Sequence, residues 1–449
     1  MQIQTTGLLR RVLANAGVLL GGRVVNAVIS LAYMAVAARA LGATGLGVLV
    51  LINAFAQLVG DGVKFQSWQT VLNYGAAPFA EDRKPDFQRV VRFTLFLDLV
   101  SGLVGVLVGI IGAILFDEEL GWSVALAPAA AVYALSIFAM TPATPVGLLR
   151  LFNRFDLMSA QAAISSTVRL AGGLAAWWLK APVEMFLLVW AAGTIAAFLY
   201  LCGVSALEMK RRDLLSGWSW RGPLTAGMPN AWRFAWATNF SATVDVMFTH
   251  VVTLVIGAVM GPAPAALWRV GRQVADALAK PAKLLIPALY PELARLRAAK
   301  GEAAMTKLAV QVGLLGGGVA TLLLVVTIFA GGPILTLVMG PAFADAQEVM
   351  VWQVAAAVVA IWALPLEPML VSLGQAGAAL RVRLAVCVLY LGVLVPVVRT
   401  WGPNGAGAAL VGAGILMGLG MLWALRRGYR LNPELNSLDS AVKSERNPD

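Results

Sequence analysis

The sequence predicts an all-α integral membrane protein, with twelve transmembrane helices in two six-helix bundles related by a pseudo-twofold axis along the membrane normal. Three observations carry this expectation. The 449 residues are 59% apolar and 13% charged, with a mean hydropathy of +0.80; soluble domains average about 45–50% apolar and about 25% charged. The apolar residues gather in segments near the ~20 residues that cross hydrocarbon. The chain also aligns with itself at an offset of 219 residues.

Cutting at charge clusters and at Pro and Gly gives segments at 15–38, 45–72, 90–116, 122–148, 157–179, 183–206, 232–259, 265–290, 305–330, 349–372, 382–400 and 404–425. Several exceed one crossing, so kinks are expected at Pro128, Pro142, Pro281, Pro287, Pro365, Pro368 and Pro396. The first segment follows Arg10 and Arg11 and passes Ala35-Val36-Ala37, as a secretory leader does. It is longer than a leader's apolar core and contains Arg23, so it reads as a span. The expected organisation is an N-terminal bundle over 1–206, a cytoplasmic linker over 207–231, a C-terminal bundle over 232–427 and a disordered cytoplasmic tail over 428–449. Gly17/Gly21, Gly105/Gly109, Gly313/Gly317 and Gly414/Gly418 have the small-xxx-small spacing that permits close helix contact.

Orientation follows from the basic residues. Of 34 Lys and Arg, 24 fall at the termini and in the even-numbered loops, three (Arg39, Lys180, Arg399) in the odd-numbered loops, and seven inside segments. Both termini are therefore expected in the cytoplasm. The net charge of +11 is then an orientation signal, and no nucleic-acid partner is needed to explain it. One histidine and two cysteines, Cys202 and Cys387, supply neither a metal site nor a disulfide framework. No phosphate-binding loop, nucleophile elbow or dinucleotide fingerprint sits in a fitting strand and helix context, so no catalytic residue and no cofactor is assigned. The longest odd-numbered loop, about Gly331 to Glu348, is short and nearly uncharged.

The seven intramembrane bases are Arg23, Lys64, Arg169, Arg269, Arg272, Lys280 and Lys283. Facing lipid they would cost roughly 20 kcal/mol together at ~2.5–3.5 kcal/mol each, so they are expected to face a hydrated cavity or partners. Their spacing favours a common face. Arg269, Arg272, Gln273, Asp276, Lys280 and Lys283 lie on one side of a helix, and Gln57, Asp61, Lys64 and Trp68 step by four, three and four. Arg23, Asn26 and Ser30 mark the first segment; Thr238, Ser241, Asp245 and Thr249 mark the seventh. At the 219-residue offset Asn26 falls on Asp245, Gln57 on Asp276 and Lys64 on Lys283, with Gly42 on Gly261. Six segments per repeat give both halves the same orientation, as in parallel-repeat transporters.

Part of this charge can be spent locally: Asp276 can meet Arg272 or Lys280, and Asp61 can meet Lys64. Five intramembrane acids (Asp61, Asp98, Asp245, Asp276, Glu367) do not balance seven bases, and the surplus cation attracts anions, with Arg giving bidentate contacts to phosphate. The seven bases are thus the expected substrate-binding set, with Asn26, Gln57, Asp61 and Asp276 as polar cavity residues. Asp245 has no base at i±3 or i±4 and is the candidate for ion coupling. His250 reads as a packing residue.

The stretch Leu20 to Ala76 contains Gly21-Gly22-Arg23-Val24-Val25-Asn26, Arg39-Ala40-Leu41-Gly42, Gly45-Leu46-Gly47, Gln57-Leu58-Val59 and Phe65-Gln66-Ser67-Trp68-Gln69-Thr70-Val71. It resembles the opening of bacterial lipopolysaccharide and O-antigen flippases, members of the multidrug, oligosaccharidyl-lipid and polysaccharide exporter superfamily. Lys280-Pro281-Ala282-Lys283 through Leu289-Tyr290-Pro291-Glu292-Leu293 is similar to the matching region of the second half. The resemblance implies a V-shaped exporter of the inner membrane. It would flip an undecaprenyl-pyrophosphate-linked oligosaccharide to the periplasmic leaflet by alternating access, driven by H+ or Na+, as a monomer in the lipid bilayer beside a polysaccharide polymerase or glycosyltransferases. A peptidoglycan-precursor flippase would carry two further helices, and an organic-cation exporter would present acidic and aromatic groups in place of a basic excess. A polymerase or ligase would carry a long periplasmic loop.

Overall fold

The computed structural model describes the backbone of residues 2–283 and 286–431 and the side chains of 26–239, 250–276, 305–375 and 377–427. The tail beyond Leu431 lies outside the described residues. Among the described residues the ordered elements are helices: α1 (Gln2–Val63), α2 (Ser67–Ala80), α3 (Lys84–Leu115), α4 (Ala127–Ala134), α5 (Ile137–Met140), α6 (Thr144–Leu151), α7 (Phe155–Trp178), α8 (Val183–Arg211), α9 (Ala231–Met260), α10 (Pro262–Lys283), α11 (Ile286–Met339), α12 (Ala346–Ala363), α13 (Leu366–Ser372) and α14 (Ala376–Leu431). Every apolar segment read from the sequence lies largely in helix. Among the described residues six helical stretches are long and apolar enough to cross a membrane, or seven if the bent pair Val124–Ala134 and Ile137–Leu151 forms one span. Two of the six, Asn26–Ala80 with 55 residues and Gly377–Arg427 with 51, exceed two crossings of ~20 residues.

The repeat is written in the backbone. Gly42 (φ 66°, ψ −174°) and Gly261 (φ 88°, ψ −178°), aligned by sequence alone, adopt the same left-handed, extended conformation that L side chains avoid. Gly121 (φ 93°) and Gly340 (φ 103°) stand at the same 219-residue offset, each followed by a short 3₁₀ turn, Val124–Leu126 and Pro341–Phe343. The start of α8 and the bend of α14 at Gly402 also obey the offset.

Two expectations change. Pro142 and Pro365 do fall at breaks, between α5 and α6 and between α12 and α13, but α1 and α14 leave helical geometry at Gly42 and Gly402. A proline removes one hydrogen bond and crowds the carbonyl four residues back, which bends a helix, whereas a positive φ with extended ψ leaves helical geometry altogether. The loop expected from Gly331 shortens because α11 runs on to Met339. Gly331 and Gly332 serve packing there: a Cβ on Gly332 would meet the Gln347 side chain at 2.1 Å, and one on Gly331 would meet Met350 at 2.5 Å.

The helices form two compact units, Met1–Ala266 and Leu267–Asp449. In the first, glycines again set the spacing: Cβ atoms at Gly105 and Gly109 would lie 2.8 and 2.3 Å from Ile137, bringing α3 against α5. The buried Asp98 of α3 accepts the backbone N–H groups of Ala143 (2.9 Å) and Thr144 (2.8 Å), satisfying the start of α6 where the chain is broken. Residues 212–230 lie over the ends of α2 and α3. Gln88 Nε2 donates to the Leu214 and Ser216 carbonyls, both at 2.8 Å, Arg92 to those of Ser219 (2.8 Å) and Arg221, and Tyr74 to that of Pro229 (2.8 Å). Lys84 Nζ donates to Asp213 at 2.6 Å, which holds that exposed carboxyl below the usual carboxylate range. In the second unit α10 packs on α12 through Gly271, and Gln353 Nε2 donates to the Trp268 carbonyl at 3.0 Å. Met305, Met369, Leu370, Met421 and Leu425 form its buried cluster.

Removing the Asp98 carboxyl strands two buried N–H groups. Asp98→Ala is expected to cost about 1–3 kcal/mol for each group stranded, read as a lower thermal unfolding midpoint in detergent. Asp98→Asn, which keeps an acceptor oxygen, should lose less than half as much.

Candidate functional site

Four helices of the first unit enclose a cavity of about 440 Å³, lined by Gln57 and Asp61 of α1, Ala139 and Met140 of α5, Gln161, Ala162, Ser165 and Arg169 of α7, and Thr194 and Ala197 of α8. Its size suits a ligand fragment held by a few polar groups. Three residues picked from the sequence, Gln57, Asp61 and Arg169, share its wall. Lys64, one turn beyond Asp61, lies beside it, with Nζ 3.5 Å from the Met140 carbonyl.

Arg169 is the most constrained cation. Its guanidinium donates to Thr194 Oγ1 (2.9 Å) and lies 3.5 Å from the Tyr33 hydroxyl, over the rings of Trp190 (5.1 Å) and Tyr33 (5.7 Å). Those rings meet edge to face at 5.7 Å. Its Nε is buried without a hydrogen-bond partner, and no carboxylate lies within ion-pair distance among the described residues. Room for the arginine shaft comes from Gly193. A Cβ there would sit 2.7 Å from Arg169 Cγ and 2.9 Å from the Ser165 carbonyl.

Above this cluster, α1 and α7 are joined by a polar chain: Ser166 Oγ donates to Asn26 Oδ1 at 2.6 Å and lies 3.1 Å from Ser30 Oγ. Asn26 and Ser30 of the first segment's stripe are therefore met by α7. Asp61 does not pair with Lys64; its Oδ2 lies 3.4 Å from Nε2 of His250, the residue read from the sequence as packing. In the second unit Arg272 meets Asp276 at 3.2 Å on its own helix, and Arg269 is not free. The side chains of Arg23, Asp245, Lys280 and Lys283 lie outside the described residues. Gln161, Ser165, Thr194, Tyr33, Trp190 and His250 were not picked from the sequence. The first two were within reach, because Gln161, Ser165 and Arg169 step by four along one face. The aromatic pair is apolar at sequence level, and only the guanidinium between the rings reveals it.

No model of a known protein family matches the chain. Over 345 residues, 77% of its length, it is 30% identical to the inner membrane protein YghQ of Escherichia coli strain K12 and covers 97% of that protein. Among solved structures it is similar to a multidrug resistance MATE family transporter of the MOP superfamily in its inward-facing conformation. That match has a TM-score of 0.73 at 14% identity and covers 91% of this chain and 95% of the other. It is also similar to the lipid II flippase MurJ in an inward closed conformation, with a TM-score of 0.69 at 12% identity over 96% of this chain and 93% of that one. At these identities the likeness is one of fold.

The geometry ties Gly193 to Arg169. Gly193→Val and Arg169→Ala should each lower the unfolding midpoint. The double variant should depart from additivity by about 0.5–3 kcal/mol, as contacting residues do; additive losses would mean that the glycine does not seat the arginine.

Proposed function

The chain belongs to the family of the Escherichia coli inner membrane protein YghQ and has the fold of MOP-superfamily transporters. From this premise we propose that it flips an undecaprenyl-pyrophosphate-linked oligosaccharide from the cytoplasmic to the periplasmic leaflet, for surface polysaccharide assembly. The observation that carries the reading is Arg169, a cation on a cavity wall with no carboxylate within ion-pair distance among the described residues, although Asp61 lines the same cavity. A guanidinium so placed suits a phosphate oxygen, and the amides and hydroxyls of Gln57, Gln161, Ser165 and Thr194 beside it suit sugar hydroxyls. The fold likeness to a flippase of another lipid-linked precursor agrees with this.

In this reading the chain crosses the inner membrane twelve times as two bundles of six, with both termini in the cytoplasm. It works as a monomer by alternating access on a gradient of H+ or Na+, and polymerase or glycosyltransferase partners receive or supply the substrate. Arg23, Lys280, Lys283 and Asp245 would join the pathway from their own helices. A second reading, an ion-coupled exporter of organic cations, draws on Asp61 at the cavity and on the likeness to a MATE transporter.

A deletion strain is expected to accumulate lipid-linked oligosaccharide on the inner leaflet, and Arg169→Gln at normal protein level is expected to leave that defect uncorrected. Accumulation of a cationic drug in place of the lipid-linked sugar, with full rescue by Arg169→Gln, would replace this reading with the second.

A further inference from the structure

We infer that His250 and Asp61 form a proton-binding switch beside the cavity, with Asp61 on its wall, which sets the charge the cavity presents to an anion. The inference deepens the proposed function and rests on it for the use of the proton; the pair itself stands on geometry. His250 is the one histidine in the sequence. Its imidazole, with the side chain 11% exposed, lies 3.4 Å from a carboxylate that opens on the cavity. Histidine is the side chain whose ordinary titration falls near neutrality.

The pair also closes a seam. At one end of α9, a Cβ on Gly47 would lie 1.9 Å from the Pro262 carbonyl oxygen, and one on Gly257 would lie 2.2 Å from Leu51. From that end, at 1.5 Å per residue, α1 reaches Asp61 and α9 reaches His250 after about 20 Å, deep within the span. Close glycine packing at one end and a titratable contact at the other leave the imidazole's charge to decide how firmly α9 is held to α1 in the interior.

Among the described residues the charged groups around the imidazole are few. From α1 come Asp61 itself and Lys64, whose Nζ points to the Met140 carbonyl. Across the cavity stands Arg169 of α7. On α9, Asp245 lies outside the described side chains. Asp117, Glu118 and Glu119 precede Gly121, which packs on Gly257 at the seam's glycine end. At the opposite end Tyr74, Arg89 and Arg92 are taken up by carbonyls of residues 219–229.

The consequence for the cavity is electrostatic. With a neutral imidazole, the Asp61 carboxylate faces the same space as Arg169 and opposes an anion there. One proton taken from water by the imidazole engages that carboxylate in an ion pair and adds one positive charge beside the cavity. Proton and anion then favour each other's binding, and the linkage is reciprocal. Release of the proton weakens both the anion site and the hold of α9 on α1.

A single imidazole makes the test direct. Full-length protein labelled with ¹⁵N-histidine and purified through a histidine-free tag is expected to give one imidazole signal that titrates between about pH 5 and 8, with a different midpoint in Asp61→Asn. A signal that does not titrate, or one unchanged by Asp61→Asn, overturns the pair. Should Asp61→Asn not fold, Asp61→Glu moves the carboxyl by one methylene and serves the same comparison. In proteoliposomes loaded with undecaprenyl-pyrophosphate-linked oligosaccharide, His250→Gln, which can still donate a hydrogen bond to Asp61, is expected to lose the response of transport to a pH gradient by about tenfold, within the usual range of site-to-site coupling. A full response in His250→Gln overturns the switch. A wild-type protein that moves none of this lipid overturns the proposed substrate, while the imidazole titration still decides the pair.

Discussion

A polar group inside hydrocarbon has no water to fall back on, so each one must find a partner within the protein or face a cavity. The first unit is organised by that constraint. Asn26, Ser30 and Ser166 satisfy one another between α1 and α7. Asn53 accepts from the Tyr133 hydroxyl at 2.8 Å, and Asp98 takes up the broken backbone at the start of α6. In the second unit Arg272 and Asp276 meet on one helix turn. Measured against these, Arg169 stands out because its direct partners are two hydroxyls and two aromatic faces, with no carboxylate within ion-pair distance among the described residues.

Close approach makes the site possible. Tyr33 and Trp190 flank the guanidinium because α1, α7 and α8 come together, and Gly193 is what lets the arginine shaft lie between α7 and α8. The same device, a missing Cβ, brings α3 onto α5, α1 onto α9 and α11 onto α12. Without a hydrophobic drive between helices in lipid, van der Waals contact over such small residues is the main source of association. Glycine thus does two jobs in this chain, seating helices against each other and, at Gly42, Gly261 and Gly402, turning the backbone where a side chain would be strained.

The helical segments and the repeat were legible from the sequence because both depend on one-dimensional pattern, apolar run length and the recurrence of residues at a fixed offset. Gly42 over Gly261 shows how far that reaches: a match of two letters proved to be a match of two backbone conformations. The site was legible only in part. Gln57, Asp61 and Arg169 declared themselves as polar residues in apolar runs, but their partners did not. Asp61 chose His250, nearly 190 residues away, over Lys64 one turn along, and Arg169 chose aromatic rings that read as core. Pairing across helices depends on which faces meet, and a single sequence carries no record of that. In the second unit Asp276 takes Arg272, one of the two partners open to it on its own helix, and the side chains of Lys280 and Lys283 lie outside the described residues.

The claim on which the site depends is that the cavity is hydrated and that the Arg169 guanidinium presents its charge to the space around Ser165. Its most direct measurement is the reactivity of Ser165→Cys, made in a protein with Cys202 and Cys387 replaced, toward small membrane-impermeant thiosulfonates of opposite charge. The account predicts that the cysteine is labelled, faster by the anionic reagent than by the cationic one, and that the preference disappears in Arg169→Gln. A cysteine that stays unlabelled, or one that reacts with both reagents equally while Arg169 is present, would contradict it.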